Sequence, residues 1–576
     1  MKVKHMEIQN FRGIKSLSWR VESTFSCLIG PGDACKTTIL TALDYVLSPR
    51  TSLTLGDSDF FNQQTDEQIV IQVTLADWDE TQTAIQKFFQ ERKFAQYKCG
   101  LGPDGPVPEP SDDVPVALSV SLRIDKSLEP KWSVVKGRDQ AEDQDRKPIY
   151  ATDRATLGLS RLDLFSDYHF TWGRNTILTR LSAEADGNLN AVLSELAREM
   201  RQRDIAGFAS IAECQTIANT VQTEARDAGV ALAPLSPKID VQRQSLGSGA
   251  LSLHEDNVPL RNKGTGSKRL IGTAMQMKLH GGKNVSLIDE IEMGLEPHRI
   301  RGLIYKLRNS PQQIFATTHS PVVIRELDVA SNQLFVCKRD AAGAVTVQSL
   351  GSVPDIQGSV RSNAEAFLGS RIVACEGPTE IGCLRAYDLF RFDASDPPVW
   401  SLSTSYFNCG GANRIAPTCP QLVQLGYKTG VLCDNDAPDQ LSAADVTALQ
   451  AAGVHVCQWE EGRSTEEQLL AELPWDQVPA LLQLVSDGHD TIEHATIINA
   501  IRNDRRLAAL ALDGDPAEWP ERDLIRQVVG SLAKAGKWIK RVDYAQNVFA
   551  FALPHFPAGG SLRTRLDALW QWIQYE

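Results

Sequence analysis

Residues 30–38, GPGDACKTT, lie between an apolar run at 24–29 (TFSCLI) and an apolar helical stretch at 37–47 (TTILTALDYVL). The order is strand, glycine-containing loop, helix. The loop follows the pattern G-x-x-x-x-G-K-[ST] at every position but one. Such a loop turns its backbone N–H groups toward phosphate oxygens, and the helix that follows points its positive end at them. Lys36 supplies a cation for the outer phosphates and Thr37 a hydroxyl for Mg²⁺. Gly30, Gly32, Lys36, Thr37 and Thr38 are therefore the candidate ATP contacts. Cys35 occupies the place of the final glycine. A side chain there costs about 1 kcal/mol if the backbone needs positive φ, so nucleotide binding is expected, while hydrolysis is left open.

Outward from this loop the chain keeps the same grammar. Residues 285–288 (VSLI) form a short apolar strand ending in Asp289 and Glu290, like a Walker B strand. There the first acid holds the Mg²⁺ shell and the second polarises the attacking water. Residues 314–321 (IFATTHSP) again run from strand to polar residue, and His319 is placed to reach the γ-phosphate. Between the two Walker motifs, residues 263–269 (KGTGSKR) precede an apolar helix. With Gly264 and Gly266 they resemble the signature loop of ABC-type ATPases. That resemblance implies a dimer, because the loop caps ATP held by the opposite subunit. Walker A and Walker B stand about 250 residues apart, which fits an ABC-type head carrying an insertion. Periodicity marks 176–232 as a helical arm, with LNAVLSELAREMRQ amphipathic, and β-rich runs at 66–125 flank a Pro/Gly/Asp-rich loop. The opening IQNFRGI looks like the first strands of SMC-like ATPases, with Arg12 near the nucleotide.

With 576 residues the chain is too long for one hydrophobic core. Its 42% hydrophobic and 23% charged residues are those of a globular protein. No apolar run is long enough to span a membrane, and the first residues lack the apolar stretch of a signal peptide. Eleven cysteines without a C-x-x-C pair suit reduced thiols and a cytoplasmic setting. The net charge of −13, taken alone, argues against nucleic acid as a partner. Carboxylates gathered around metal ions supply another source of negative charge.

Two acidic clusters in the last third raise that possibility. Residues 371–380 (RIVACEGPTE) read as strand, turn and helix start: Glu376 ends the strand, Pro378 opens the helix and Glu380 lies across the turn. Residues 430–436 (GVLCDND) are another apolar strand ending in acids. In an extended chain Asp434 and Asp436 project to one side. Carboxylates converging at strand ends call for Mg²⁺ or Mn²⁺ with oxygen ligands, and two such ions clamp the oxygens of a phosphodiester. With the turn FNCGGAN at 407–413 between them, the clusters resemble a Toprim domain.

An ABC-type ATPase followed directly by Toprim is the layout of the OLD (overcoming lysogenization defect) family nucleases, which include the nuclease subunit of the Gabija antiphage system. The resemblance covers nearly the whole chain and is strongest at GPGDACKTTIL, LIDEIEMGLEPH, ATTHSP, ACEGPTE and LCDNDAP. It implies an α/β protein with two parts. Residues 1–365 would form an ABC-type head with an inserted helical dimerisation arm. Residues 366–576 would form a Toprim nuclease domain with C-terminal helices. It implies an ATP-regulated, metal-dependent endodeoxyribonuclease of antiphage defence, acting on DNA as a homodimer or larger homo-oligomer. A helicase or reverse-transcriptase module is a possible partner, and no membrane is involved. It also implies a further acid, for which Glu466 is first choice and Glu467 the alternative, and a late lysine near the metals. Lys540 is chosen for that role, with Lys537 the other candidate.

Overall fold

The computed structural model describes residues 1–78, 81, 83–138, 146–162, 167–172, 176–184, 195, 199, 214–220, 234, 251–278, 285–489 and 492–575. Two sheets build the front of the molecule. The first is antiparallel and eight-stranded, with Ile14–Arg20, Lys2–Phe11, Ile69–Ala76 and Val116–Ile124 side by side. Lys2–Phe11 buries only part of its residues, as a strand with one covered face should. The second sheet has six strands in the order Leu159–Leu162, Val285–Ile288, Gln313–Thr317, Phe25–Ile29, Leu334–Arg339 and Val345–Ser349. Its first five strands run parallel. Phe25–Ile29, Val285–Ile288 and Gln313–Thr317 are buried at every position, which is why they read as unbroken apolar runs in the sequence. Helix Lys36–Leu47 lies between the sheets: Ile39, Leu40, Leu43 and Val46 share a core with Ile8, Ile71, Leu118, Leu287 and Phe315.

The back of the molecule carries a four-stranded parallel sheet, ordered Thr404–Asn408, Arg371–Cys375, Lys428–Cys433 and His455–Gln458. Helices Pro378–Asp393, Arg522–Gly536, Val542–Ala552 and Ser561–Tyr575 pack with it around one large apolar core. A separate core joins the two halves. Phe25, Ile29 and Ile288 of the six-stranded sheet belong to the same buried cluster as Phe367, Ile372, Phe407, Tyr427 and Val431. Asn363 and Asn408 exchange hydrogen bonds across this junction, at 3.0 and 2.8 Å.

The structure differs from the sequence reading in two places. The Pro/Gly/Asp-rich stretch expected as loop contains a short hairpin, Cys99–Gly102 with Gly105–Val107. Gly105, at φ +122°, makes the reversal that a side chain would resist. Strand Lys428–Cys433 also ends before the acids, and the chain bends at 435–436, between Asp434 and Asp436. Extended-chain alternation is therefore not what aligns them. Of the helical arm, Ile177–Glu184 and 214–220 are helical; most of the rest, including most of LNAVLSELAREMRQ, lies outside the described residues.

Candidate functional site

The phosphate loop closes against the strand beside it. Gly30 has φ +130°, and a Cβ there would stand 2.5 Å from the Cys337 carbonyl oxygen, so only glycine fits. Gly32 has nothing within 4 Å of its would-be Cβ. Cys35, at φ 64° and ψ 19°, is left-handed as the missing glycine would be. Its sulfur lies over Gly13, whose own Cβ would approach it to 2.8 Å. Lys36 is buried and donates to the carbonyls of Gly30 and Pro31, at 2.9 and 2.7 Å. Burial holds its ammonium below the ordinary range. Thr38 is half-buried in the first turn of the same helix.

Three of the predicted nucleotide motifs meet at Asp289. Its Oδ1 accepts hydrogen bonds from Thr37 at 3.1 Å and from Thr317 at 2.5 Å. The Thr317 hydroxyl in turn accepts the Glu290 N–H at 2.8 Å. Glu290 is itself left-handed, at φ 44°. His319 stands close enough for the charges of Lys36, Glu290 and Asp289 to act on its ring. Burial first, and the Lys36 charge second, lower its pKa and favour the neutral imidazole. Its backbone N–H donates to Glu292 at 2.8 Å, and Thr318 donates to the other Glu292 oxygen at 2.7 Å. Glu292 and Thr317 were missed by sequence reasoning, though both lie within motifs it singled out. The KGTGSKR segment, expected as a loop before a helix, is already helical from Thr265 and packs on the segment after Asp289. A Cβ on Gly266 would meet the Gly294 carbonyl oxygen at 2.2 Å, while Gly264 is unconstrained. Arg269 donates to the backbone oxygens of Asp289 and Glu290. Arg12 is tied to Asp59 at 2.8 Å.

At the C-terminal edge of the four-stranded sheet the acids of two distant segments come together. Glu380 caps its own helix by accepting the Gly377 N–H at 2.7 Å. The Thr465 hydroxyl lies 2.7 Å from Glu380 Oε1 and 2.8 Å from Asp434 Oδ1, and the Thr465 N–H also donates to Asp434 Oδ1 at 2.8 Å. Glu376 Oε2 accepts the Asp434 N–H at 3.3 Å, and its carbonyl accepts Gly410 and Gly411 at 3.1 and 2.9 Å. Burial, reinforced by the Asp434 charge, pushes Glu376 up to about 7. Burial likewise raises Glu380 and Asp434, with neighbouring acids adding to it. Glu466 is 1% exposed, and its Oε1 has no hydrogen-bond partner among the described residues. Glu467 instead forms the capping box with Ser464, so of the two alternatives Glu466 is the one left unengaged beside the acids.

The lysines divide differently from the expectation. Lys534, not Lys540, makes the ion pair with Asp436. Lys540 is exposed, and its charge acts on Glu376 without contact. Lys537 is exposed at the left-handed end of helix Arg522–Gly536. Lys534 lies four residues after Gly530, whose would-be Cβ stands 3.1 Å from Glu467. That one-turn spacing places both on the face that docks against helix Thr465–Glu472.

The donor set fits a divalent cation. It gathers hard carboxylate oxygens, one of them buried and unpartnered, whose mutual repulsion such an ion relieves. In the described residues no three such side chains already stand at metal-binding separation. Glu380 and Asp434 are engaged by Thr465, and Asp436 by Lys534.

Residues 1–136 match the model of the AAA ATPase domain. Residues 116–325 match a model described as AAA domain, putative AbiEii toxin, Type IV TA system. These matches support an ATP-binding ATPase domain of ABC/AAA type at the front of the chain. Among solved structures, the chain is similar to an Smc head bound to the C-terminal winged-helix domain of ScpA, at 12% identity and a TM-score of 0.34, over 61% of this chain and 99% of that one. The SMC head domain from Thermotoga maritima gives 9% and 0.28, over 61% and 99%. An Smc head with an extended coiled coil, bound to the C-terminal domain of ScpA and derived from Pyrococcus furiosus, gives 12% and 0.32, over 62% and 99%. No curated protein matches the sequence. Among the described residues no helix is long and apolar enough to cross a membrane.

Proposed function

We propose that this chain is an ATP-regulated, divalent-metal-dependent DNA endonuclease of the OLD type, with residues 1–365 as the ATPase head and 366–576 as the Toprim nuclease. The observation that supports the reading is that Glu380 and Asp434 share the Thr465 hydroxyl, with Glu376 against the Asp434 N–H and Glu466 near enough for its charge to act on Glu380 and Asp434. Glu376, Asp434, Asp436 and Glu466 would hold Mg²⁺ or Mn²⁺, with Glu380 bracing them from its cap position. The bound ions would supply Lewis-acid charge for hydrolysis of a phosphodiester. Lys534 and Lys540 would offset the negative charge that grows on the phosphate. In the head, Lys36, Thr37 and Asp289 would bind MgATP. Glu290 would orient water, with His319 near the γ-phosphate. Two heads would close on ATP through Gly264 and Gly266 at the start of helix Thr265–Lys278 and so govern access of DNA to the nuclease sites. A role in antiphage defence, with or without a helicase or reverse-transcriptase partner, follows from the same resemblance.

The test is a nicking assay on supercoiled plasmid with the full chain, Mg²⁺ or Mn²⁺, and an ATP titration. Metal-dependent nicking that Asp434→Ala abolishes supports the reading. Unchanged cleavage by that variant removes the assigned site. A second reading is an SMC-like ATPase that clamps DNA and keeps the rear sheet as scaffold. The engagement of Glu380, Asp434 and Asp436 by protein donors favours it. ATP-dependent DNA retention without any metal-dependent cleavage would select it.

A further inference from the structure

Thr465 is fully buried at the first turn of helix Thr465–Glu472, behind its N-cap Ser464. Three groups surround its hydroxyl: Glu380 Oε1 at 2.7 Å, Asp434 Oδ1 at 2.8 Å, and the Trp459 indole N–H, which donates to it at 2.6 Å. A hydroxyl has one proton and two lone pairs. With the indole holding one lone pair, the single O–H proton reaches one carboxylate at a time, and the other carboxyl meets the remaining lone pair in its protonated form. Asp434 Oδ1 also receives the Thr465 N–H, so when the O–H turns to Asp434 two donors from one residue hold that oxygen. Glu380 has both oxygens engaged, one by Gly377 N–H and one by Thr465. Trp459 is itself 1% exposed, so the whole arrangement is locked by packing.

We propose that Thr465, oriented by Trp459, is a positioning residue that sets the rotamer in which Asp434 takes a divalent cation. The inference rests on the metal-binding part of the function proposed above, and not on DNA cleavage. Its logic is that of groups behind a metal ligand: they fix the ligand's direction, and their loss weakens binding without removing a ligand. Valine at 465 keeps the shape and removes the donor. Two buried carboxylates would then face one another without the hydroxyl between them, and Asp434 would be free to turn.

The experiment is Mn²⁺ titration of the full-length protein, followed by the electron paramagnetic resonance signal of free Mn²⁺, with no DNA present. Thr465→Val is expected to weaken Mn²⁺ binding about ten- to hundredfold. Thr465→Ser, which restores the hydroxyl, is expected to bind within about threefold of the unmodified protein, and Trp459→Phe between the two. ATP binding by the same variants reports that the head is folded. Equal Mn²⁺ affinity for Thr465→Val and the unmodified protein would overturn the proposal. So would a serine variant as weak as the valine one, since the methyl group and not the hydroxyl would then matter. If Thr465→Val does not fold, Trp459→Phe decides alone, and an unchanged affinity there refutes the role. An unmodified protein that binds no Mn²⁺ defeats the metal reading itself, an outcome distinct from either of these.

Discussion

Replacing Cys35 by glycine restores the usual phosphate-loop residue, yet the structure predicts little gain. Cys35 is already left-handed, at φ 64°. An L-residue there costs about 1–2 kcal/mol, but glycine gives back roughly 0.5–1 kcal/mol through its greater freedom in the unfolded chain. The net stabilisation is then about 1.5 kcal/mol at most, a shift of about 2 °C or less in melting temperature for a chain of this size. The strain is incurred on folding, before nucleotide arrives, so it is absent from the binding equilibrium. Cys35→Gly should therefore alter the Kd for ATP by less than about threefold, where tenfold would correspond to about 1.4 kcal/mol. Isothermal titration with ATP, alongside a thermal melt, measures both quantities. Tenfold tighter binding by the glycine variant would refute the reasoning, because it would mean that the loop reaches its left-handed form only around the phosphates.

The other predictions concern packing and charge. Gly266→Ala, whose Cβ would meet the Gly294 carbonyl oxygen at 2.2 Å, should lower stability by about 1–3 kcal/mol, while Gly264→Ala stays near neutral; denaturant melts compare them. Glu376 titrates near 7 when folded, against an ordinary 4.5. The native state thus holds the extra proton between those values, and its contribution is full below 4.5 and lost as pH rises through 7. Allowing for its partial exposure, Glu376→Gln should exceed the unmodified protein in stability by about 2 kcal/mol at pH 8, in metal-free buffer, and by little at pH 4. Lys534→Met frees Asp436 from its ammonium partner. It should tighten Mn²⁺ binding while cutting phosphodiester cleavage by about tenfold or more, a split read from parallel binding and nicking assays.

Much of this architecture could be read from the chain because parallel strands buried on both faces appear as short apolar runs, and acids mark their ends. Val285–Ile288 before Asp289, Arg371–Cys375 before Glu376 and Lys428–Cys433 before Asp434 all carry that mark. The different engagement of Glu466 and Glu467 has a local mark as well. Ser464 followed three residues later by Glu467 is a capping box, which commits Glu467 and leaves Glu466. Lys534 was hidden for a different reason. Its meeting with Asp436 depends on how helix Arg522–Gly536 docks through Gly530, a tertiary contact with no local mark. Asp434 and Asp436 both act on Glu376, but the chain bends at 435–436, so strand alternation is not what relates them.

The apolar layer in which Phe25 and Ile29 share a cluster with Phe407 and Tyr427 binds front and rear of the described residues into one core. Cutting the chain near residue 365 would strand greasy surface on both fragments and send each toward aggregates. A lesion in that layer would silence front and rear together. A lineage wishing to exchange one half for another would have to reshape the mating face of the half it kept.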